Sequence, residues 1–387
     1  MSEKIDGTHE DGGAQGTAAS RLLLTTNIWS DAPAPTPAAP PAPPPPVMQA
    51  PVAVEVVSTP ASTAAPARSV QWPPRKLSLA LQGGGTFAAF TWGVLERLLE
   101  EPEIEFDAIS GASAGAINAL LLAGGLAEGG REGARSRLNR FWLRLMHEAS
   151  FRSLMLIGGF SPAGSSVAFG PTLRSGQFDP FDLDPLRQAL ARDINFAGLR
   201  DAKCPKLLIA ATRIRDGEQQ IFGNDAITPD VALASTCPPL VHCAVEIDGE
   251  AYWDGGFGGN PPLIKLAQES TAAGLLLIQV TPARDNYVPI TLAAIDRRLD
   301  QIAANAALKA EIAAIAWAQS HAVPTLRLST ISAEDSIEGL AQRSSTDLGR
   351  GFIRTLHRSG RAAAERWLGA TGAETQRTLL AAEPALA

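Results

Sequence analysis

The chain has 387 residues, 45% of them hydrophobic and 19% charged, enough apolar material for one large domain or two modest ones. Its formal net charge is −7, and an acidic chain is poorly suited to neutralising phosphates, which argues against nucleic-acid binding as the main role. The three cysteines, Cys204, Cys237 and Cys243, show no metal-ligand spacing and no disulfide framework, which points to a reducing compartment.

Residues 1–74 differ from all that follows. Met1 to Gly16 is acidic and glycine-rich and lacks the basic and apolar regions of a secretory signal. Asp31 to Met48 is dominated by proline and alanine and ends in the run Pro43 to Pro46. Such a segment favours extended polyproline II over a packed core, so a disordered tail is expected, either a plain spacer or a docking ligand for a partner with an aromatic groove. No run reaches about 18 uninterrupted apolar residues, so no transmembrane helix is expected. The expectation is a cytoplasmic protein, at most peripheral to a membrane surface.

Lys76 to Leu81 reads as a buried strand. Phe87 to Glu100 has helical spacing, with Phe87, Phe90, Val94, Leu95 and Leu98 on one face. Glu105 to Ile109 is a second short strand, and Ala116 to Leu122 reads as the helix after it. Further strands are predicted at Lys206 to Thr212, Gln219 to Phe222, Leu275 to Thr281 and Pro324 to Ser329. Helices are predicted at Asp184 to Arg192, Leu263 to Glu269, Leu292 to Gln319 and Gly349 to Leu368. This order predicts an α/β fold with a mainly parallel sheet. Phe151 to Phe178, rich in Gly, Ser and Phe without a period, predicts a long loop or lid that lines an acyl-chain groove. The apolar spacing of Leu292 to Gln319 fits packing on the core and a partner surface equally well. The expected organisation is a tail over 1–74, a core over 75–285 and a mainly helical extension over 286–387 packed on that core.

Three motifs carry chemistry. Gly111-Ala112-Ser113-Ala114-Gly115 is a G-x-S-x-G elbow between a strand and a helix, a sharp turn that pushes the Ser113 hydroxyl outward. Gly83-Gly84-Gly85 follows the first strand and precedes a helix, so several backbone N–H groups can converge on one anion, such as the oxyanion of an acyl transfer. Asp254-Gly255-Gly256 follows Ala251-Tyr252-Trp253 and leads into a run of Gly, Asn and Pro, placing a carboxylate where it can take a serine proton. Each motif alone also fits an ordinary turn. Gly83 to Ala88 also fits a G-x-G-x-x-A dinucleotide fingerprint, but the second strand runs into the serine elbow rather than ending in an acidic residue. Ser113, Asp254 and His321 or His357 have the chain order of an α/β-hydrolase triad, yet that fold places its elbow after several earlier strands. His242 reads as structural.

The G-G-G, G-x-S-x-G and D-G-G motifs, in this order and these contexts, resemble those of the patatin-like phospholipases. Ala234-Ser235-Thr236-Cys237-Pro238-Pro239 resembles that family's A-S-x-A-x-P segment, and the likeness runs from Lys76 to Val280. The resemblance implies a three-layer α/β/α sandwich with a mainly parallel central sheet. It implies a Ser-Asp dyad without histidine, metal or cofactor, with Ser113 as nucleophile and Asp254 as its base. Gly83, Gly84 and Gly85 would form the oxyanion hole, Gly111 and Gly115 shape the elbow, and Gly255 and Gly256 shape the aspartate turn. Phe87 and Ala88 depart from the family pattern, which has a basic residue and a glycine there, and Cys237 stands where alanine is usual. The implied activity is acyl-ester hydrolysis of a phospholipid or related lipid, with transient contact with a membrane surface. Two alternatives stay open: an esterase on a neutral lipid or storage polyester, and a non-catalytic scaffold that binds lipid or granules.

Overall fold

A computed structural model describes residues 72–148, 184–237, 244–321 and 326–370, with the backbone only at 184–186, 320 and 321. The proline-rich segment, the Phe151 to Phe178 stretch, His9, His242 and Cys243 lie outside the described residues. The strands are β1 Lys76–Leu81, β2 Glu105–Gly111, β3 Lys206–Arg213, β4 Gln219–Phe222, β5 Val245–Ile247, β6 Glu250–Asp254, β7 Gly274–Gln279 and β8 Arg327–Ser332. The helices are α1 Ala89–Leu98, α2 Ala114–His147, α3 Asp184–Asp193, α4 Pro229–Ser235, α5 Leu263–Glu269, α6 Leu292–His321 and α7 Arg350–Gly369.

The eight strands form one sheet in the order β5-β6-β3-β2-β1-β7-β8, with β4 also paired to β3. The β3-β2-β1-β7-β8 stretch is parallel throughout, and β4, β5 and β6 join it antiparallel. Successive side chains of a strand point to opposite faces, so each buried strand serves two cores. Leu77, Leu79 and Leu81 of β1 join Leu276 and Ile278 of β7 against α1, α2 and α7. On the opposite face Ala80, Leu275 and Leu277 meet Leu263 and Leu266 of α5 and Leu308 and Ile315 of α6. A mixed α/β fold with helices on both faces of a central sheet is the architecture expected from the sequence.

Several elements differ from expectation. The helix after β1 opens as a one-turn 3-10 helix at Gly85–Ala88 before α1 begins. The elbow helix runs on to His147, and Gly129 and Gly130 break its geometry midway. The last strand lies three residues later than expected, at Arg327–Ser332. Three elements had no counterpart in the sequence reading: α4 and the β5-β6 hairpin. The hairpin turns through Asp248 and Gly249 with φ of 52° and 80°, the left-handed pair that an Asp-Gly turn favours. Thr228 caps α4 by accepting from the Val231 N–H at 3.3 Å, and Pro229 takes the first helical position.

Candidate active site

The three motifs meet at the carboxyl ends of the parallel strands, where open α/β sheets bind ligands. β2 ends at Gly111, α2 starts at Ala114, and Ser113 sits between them at φ 54° and ψ −133°. A positive φ at a residue with a side chain is uncommon and marks local strain. Small neighbours make the turn possible. A Cβ on Gly115 would lie 2.2 Å from the Leu81 carbonyl oxygen, and one on Gly111 would lie 2.8 Å from that of Gly115. Only a hydrogen fits at either position.

The glycine loop lies directly against this elbow. A Cβ on Gly83 would stand 2.6 Å from both Ala112 O and Ser113 Cβ. Gly85 adopts φ 56°, a region open to glycine at no cost. The Gly83 N–H is already engaged: it donates to Asn260 Oδ1 at 2.6 Å, while Asn260 Nδ2 donates back to Gly83 O at 3.2 Å. Among the described residues, the amides of Gly84, Gly85 and Ala114 have no acceptor. Gly84 and Ser113 are also the partly exposed members of their loops, amid buried neighbours.

Asp254 ends β6 and is 3% exposed. Its Oδ1 accepts from the Gly256 N–H at 2.7 Å, and the Ser113 hydroxyl lies close enough to hold its pKa down. Burial pushes its pKa up to about 6, against the opposing effects of the Gly256 and Ser113 hydrogen bonds. A Cβ on Gly255 would meet Ala210 O at 2.2 Å, so the aspartate turn closes directly onto β3. The arrangement is a buried carboxylate beside a strained serine, with unpaired amides in the adjoining loop.

Residues 79–267 match the family model described as patatin-like phospholipase. That span holds all three motifs in order. Residues 79–267 are a patatin-like phospholipase domain. Such a domain implies a lipid acyl hydrolase. Among solved structures, VipD from Legionella pneumophila is similar at 14% identity over 77% of this chain and 67% of its own, with a TM-score of 0.37. No curated protein sequence matches the chain.

Ser113 and Asp254 are held in place by residues to which the sequence reading gave no role. Ser235, at the end of α4, accepts the Ser113 N–H on its Oγ at 3.2 Å. Two residues on, the Cys237 carbonyl accepts the Asp254 N–H at 2.9 Å. The Ala234 to Cys237 segment therefore grips both members of the pair. Thr212 Oγ1 donates to Asp254 O at 2.8 Å and accepts from Gly258 N at 2.9 Å, pinning the aspartate turn to β3. Gln82 Oε1 accepts from Val280 N and Thr281 N, both at 2.9 Å, and Thr281 Oγ1 donates to Gly83 O at 3.0 Å, fixing the glycine loop to the end of β7. In the sequence, the run Gly258 to Pro262 signals a special backbone but not the side-chain bond that Asn260 makes across to Gly83.

His357 stands apart from Ser113 and Asp254. Its Nε2 is 2.6 Å from Glu96 Oε2, and its ring lies on Trp92 at 3.8 Å between centroids. The His321 side chain is outside the described residues. Phe87, at the position where the family has a basic residue, is 2% exposed and meets Phe352 of α7 edge-on. It locks the loop to the core and presents nothing to a ligand. Two surface hollows of about 610 Å³ lie elsewhere, one lined by Arg97, Glu100 and Arg361 and one by Arg140, Leu143 and His147. Neither touches Ser113 or Asp254.

Proposed function

We propose that the protein hydrolyses carboxylic esters of lipids through an acyl-enzyme on Ser113, with Asp254 as general base and the Gly83–Gly85 loop as the oxyanion hole. The nearness of the Ser113 hydroxyl to the buried Asp254 carboxylate carries this reading. A serine hydroxyl is a weak nucleophile until a base takes its proton, and a carboxylate with a pKa of about 6 is a stronger base than an exposed one. As Ser113 Oγ attacks the ester carbonyl carbon, its proton passes to Asp254 and the carbonyl oxygen gains negative charge. The free Gly84 and Gly85 amides receive that charge, while Asn260 holds Gly83 and keeps the loop in place. The N-terminus of α2 adds its partial positive charge at the same spot. Asp254 then gives the proton to the leaving alcohol or lysolipid. Water, deprotonated by Asp254, attacks the acyl carbon, and the Ser113 oxygen regains a proton as the fatty acid leaves.

Release of fatty acid from phospholipid vesicles, and hydrolysis of a short-chain nitrophenyl ester, test the proposal with chelator present. Activity lost in both Ser113→Ala and Asp254→Asn, and indifferent to chelator, is the expected result. Activity that survives Asp254→Asn contradicts the choice of base. Burial of Phe87 favours a second reading, an ester without an anionic headgroup, because the loop lacks the family's cation. Triacylglycerol and a storage polyester in the same panel separate the two: cleavage of phospholipid alone removes the second.

A further inference from the structure

Helix α6 turns most of its polar side chains inward beside Leu308 and Ile315, and its outer face is apolar. On its inner side Arg298 Nη2 donates to Ala283 O at 3.1 Å, Gln301 Nε2 to Ala341 O at 2.9 Å and Asn305 Nδ2 to Pro282 O at 3.0 Å. Glu311 Oε2 accepts from Leu263 N and Ile264 N at 2.7 Å each. The acidic residues Asp296, Asp300 and Glu311 are all partly buried. From Leu292 to Ala318 every exposed residue is apolar except Lys309. Leu292, Leu299, Ile302 and Trp317 are each more than half exposed, at 64%, 58%, 52% and 67%. Tyr287, Val288 and Ile290, which lead into the helix, are more exposed still. An ordinary surface helix shows the reverse pattern, and a continuous apolar surface of this extent marks an interaction site.

We propose that this outer face of α6, with the Tyr287 to Ile290 approach, seats the protein on a lipid surface with the helix lying along the boundary between headgroups and acyl chains. The inference rests on the reading of the domain as a lipid acyl hydrolase. Four observations select lipid as the occupant. At 100° per residue the stripe from Ile302 round to Ala314 covers roughly 120° of the helix, wider than the seam through which two helices pair. In a chain of net charge −7 the face exposes no acidic side chain and one lysine, so it meets zwitterionic or anionic headgroups without repulsion. Tyr287 and Trp317 bracket the face at its two ends, and both ring types suit a membrane–water boundary. Finally, the inner side of the same helix holds the site. Asn305 accepts from Gln82 Nε2 at 3.2 Å, one residue before Gly83, and Glu311 caps α5, which follows the aspartate turn. Phe257 on that turn and Ile264 on α5 are exposed apolar residues beside it. Among the described residues no helix is long and apolar enough to cross a membrane, so α6 lies on the surface and does not span it.

Flotation of the full-length protein with phosphatidylcholine–phosphatidylglycerol vesicles tests this, comparing wild type, Ser113→Ala and the double variant Leu299→Gln, Ile302→Gln. Nitrophenyl ester hydrolysis, the thermal midpoint and sedimentation velocity are measured beside it. Wild type and Ser113→Ala are expected to float. The double variant is expected to bind vesicles at least about tenfold more weakly, with its midpoint and its rate on the soluble ester unchanged. Equal vesicle binding by the double variant overturns the proposal. So does a wild-type dimer that the double variant dissociates, because the face would then belong to a second copy. Ester hydrolysis without flotation defeats the docking face and leaves the dyad standing. Flotation lost in the double variant, with no hydrolysis by wild type, defeats the dyad and leaves the docking face standing.

Discussion

Asp254 is 3% exposed and has one backbone donor, Gly256, on its carboxylate, which leaves an ion short of solvation. Burial therefore raises its pKa from 3.8 to about 6, with the bonds from Gly256 and Ser113 opposing the rise. A general base works in its ionised form, so kcat/KM is expected to climb as pH rises through about 6 and to level off above it. The same shift bears on stability. The folded carboxyl binds its proton more tightly than the unfolded one, so the penalty is absent below about pH 4, grows as pH rises towards 6, and levels off at about 3 kcal/mol. Asp254→Asn should consequently be more stable than wild type at pH 8, with the gain vanishing near pH 4, as followed by thermal unfolding across pH. Asn260 permits a different prediction. It is 4% exposed and bonds both the N–H and the carbonyl of Gly83, joining the glycine loop to the aspartate turn. Asn260→Ala should lower kcat on a soluble ester by about 10 to 100-fold with KM little changed, since it loosens a loop that acts in the transition state. An unchanged kcat would remove Asn260 from the account. Ser113, Asp254 and the glycines are legible as motifs because their chemistry demands particular residue types close together. The parts that Asn260 and Thr212 play are not, because each acts across more than forty residues of chain through side-chain hydrogen bonds.

Helices α1 and α7 show how little space the elements leave one another. A Cβ on Gly93 would fall 2.0 Å from His357 O, and one on Gly360 would fall 2.0 Å from Phe90 O. Backbone meets backbone at both points, so no side chain can swing aside. Gly93→Ala or Gly360→Ala should force the helices apart and cost about 1–3 kcal/mol, seen as a thermal midpoint lowered by several degrees. The specific activity of the folded fraction should hold, because neither residue touches the dyad. The apolar patterns of β1 and α6 put their positions within reach of sequence reasoning. The β5-β6 hairpin and α4 are short, at three, five and seven residues, and carry too little period to register. Their turn chemistry was nonetheless present: Asp248-Gly249 for the hairpin, and Thr228-Pro229 for the start of the helix.

Across the whole molecule, one sheet with a core on each face carries the site at the carboxyl ends of β1 and β2. Among the described residues, the N-terminal end of that body is Trp72, whose Nε1 donates to Trp367 O at 3.0 Å and whose ring packs edge-on against the Trp367 ring. A chain beginning at Pro66 is therefore expected to keep the thermal midpoint and the soluble-ester rate of the full chain, whereas one beginning at Pro73 should unfold at lower temperature. Calorimetry on both tests this placement of the boundary. The parallel sheet and the two-sided packing follow from the strand-helix alternation in the sequence. The inverted polarity of α6 does not, because its apolar spacing suits an inward or an outward face alike, and only the placement of Arg298, Gln301 and Asn305 against the core fixes which.

The central claim is that Ser113 is a nucleophile activated by Asp254, and a fluorophosphonate probe reads this directly. Intact-mass and peptide mapping should show one equivalent of label on Ser113 in wild type, none in Ser113→Ala, and labelling slowed at least about 100-fold in Asp254→Asn. Label on another residue, or labelling of Asp254→Asn at the wild-type rate, would contradict it.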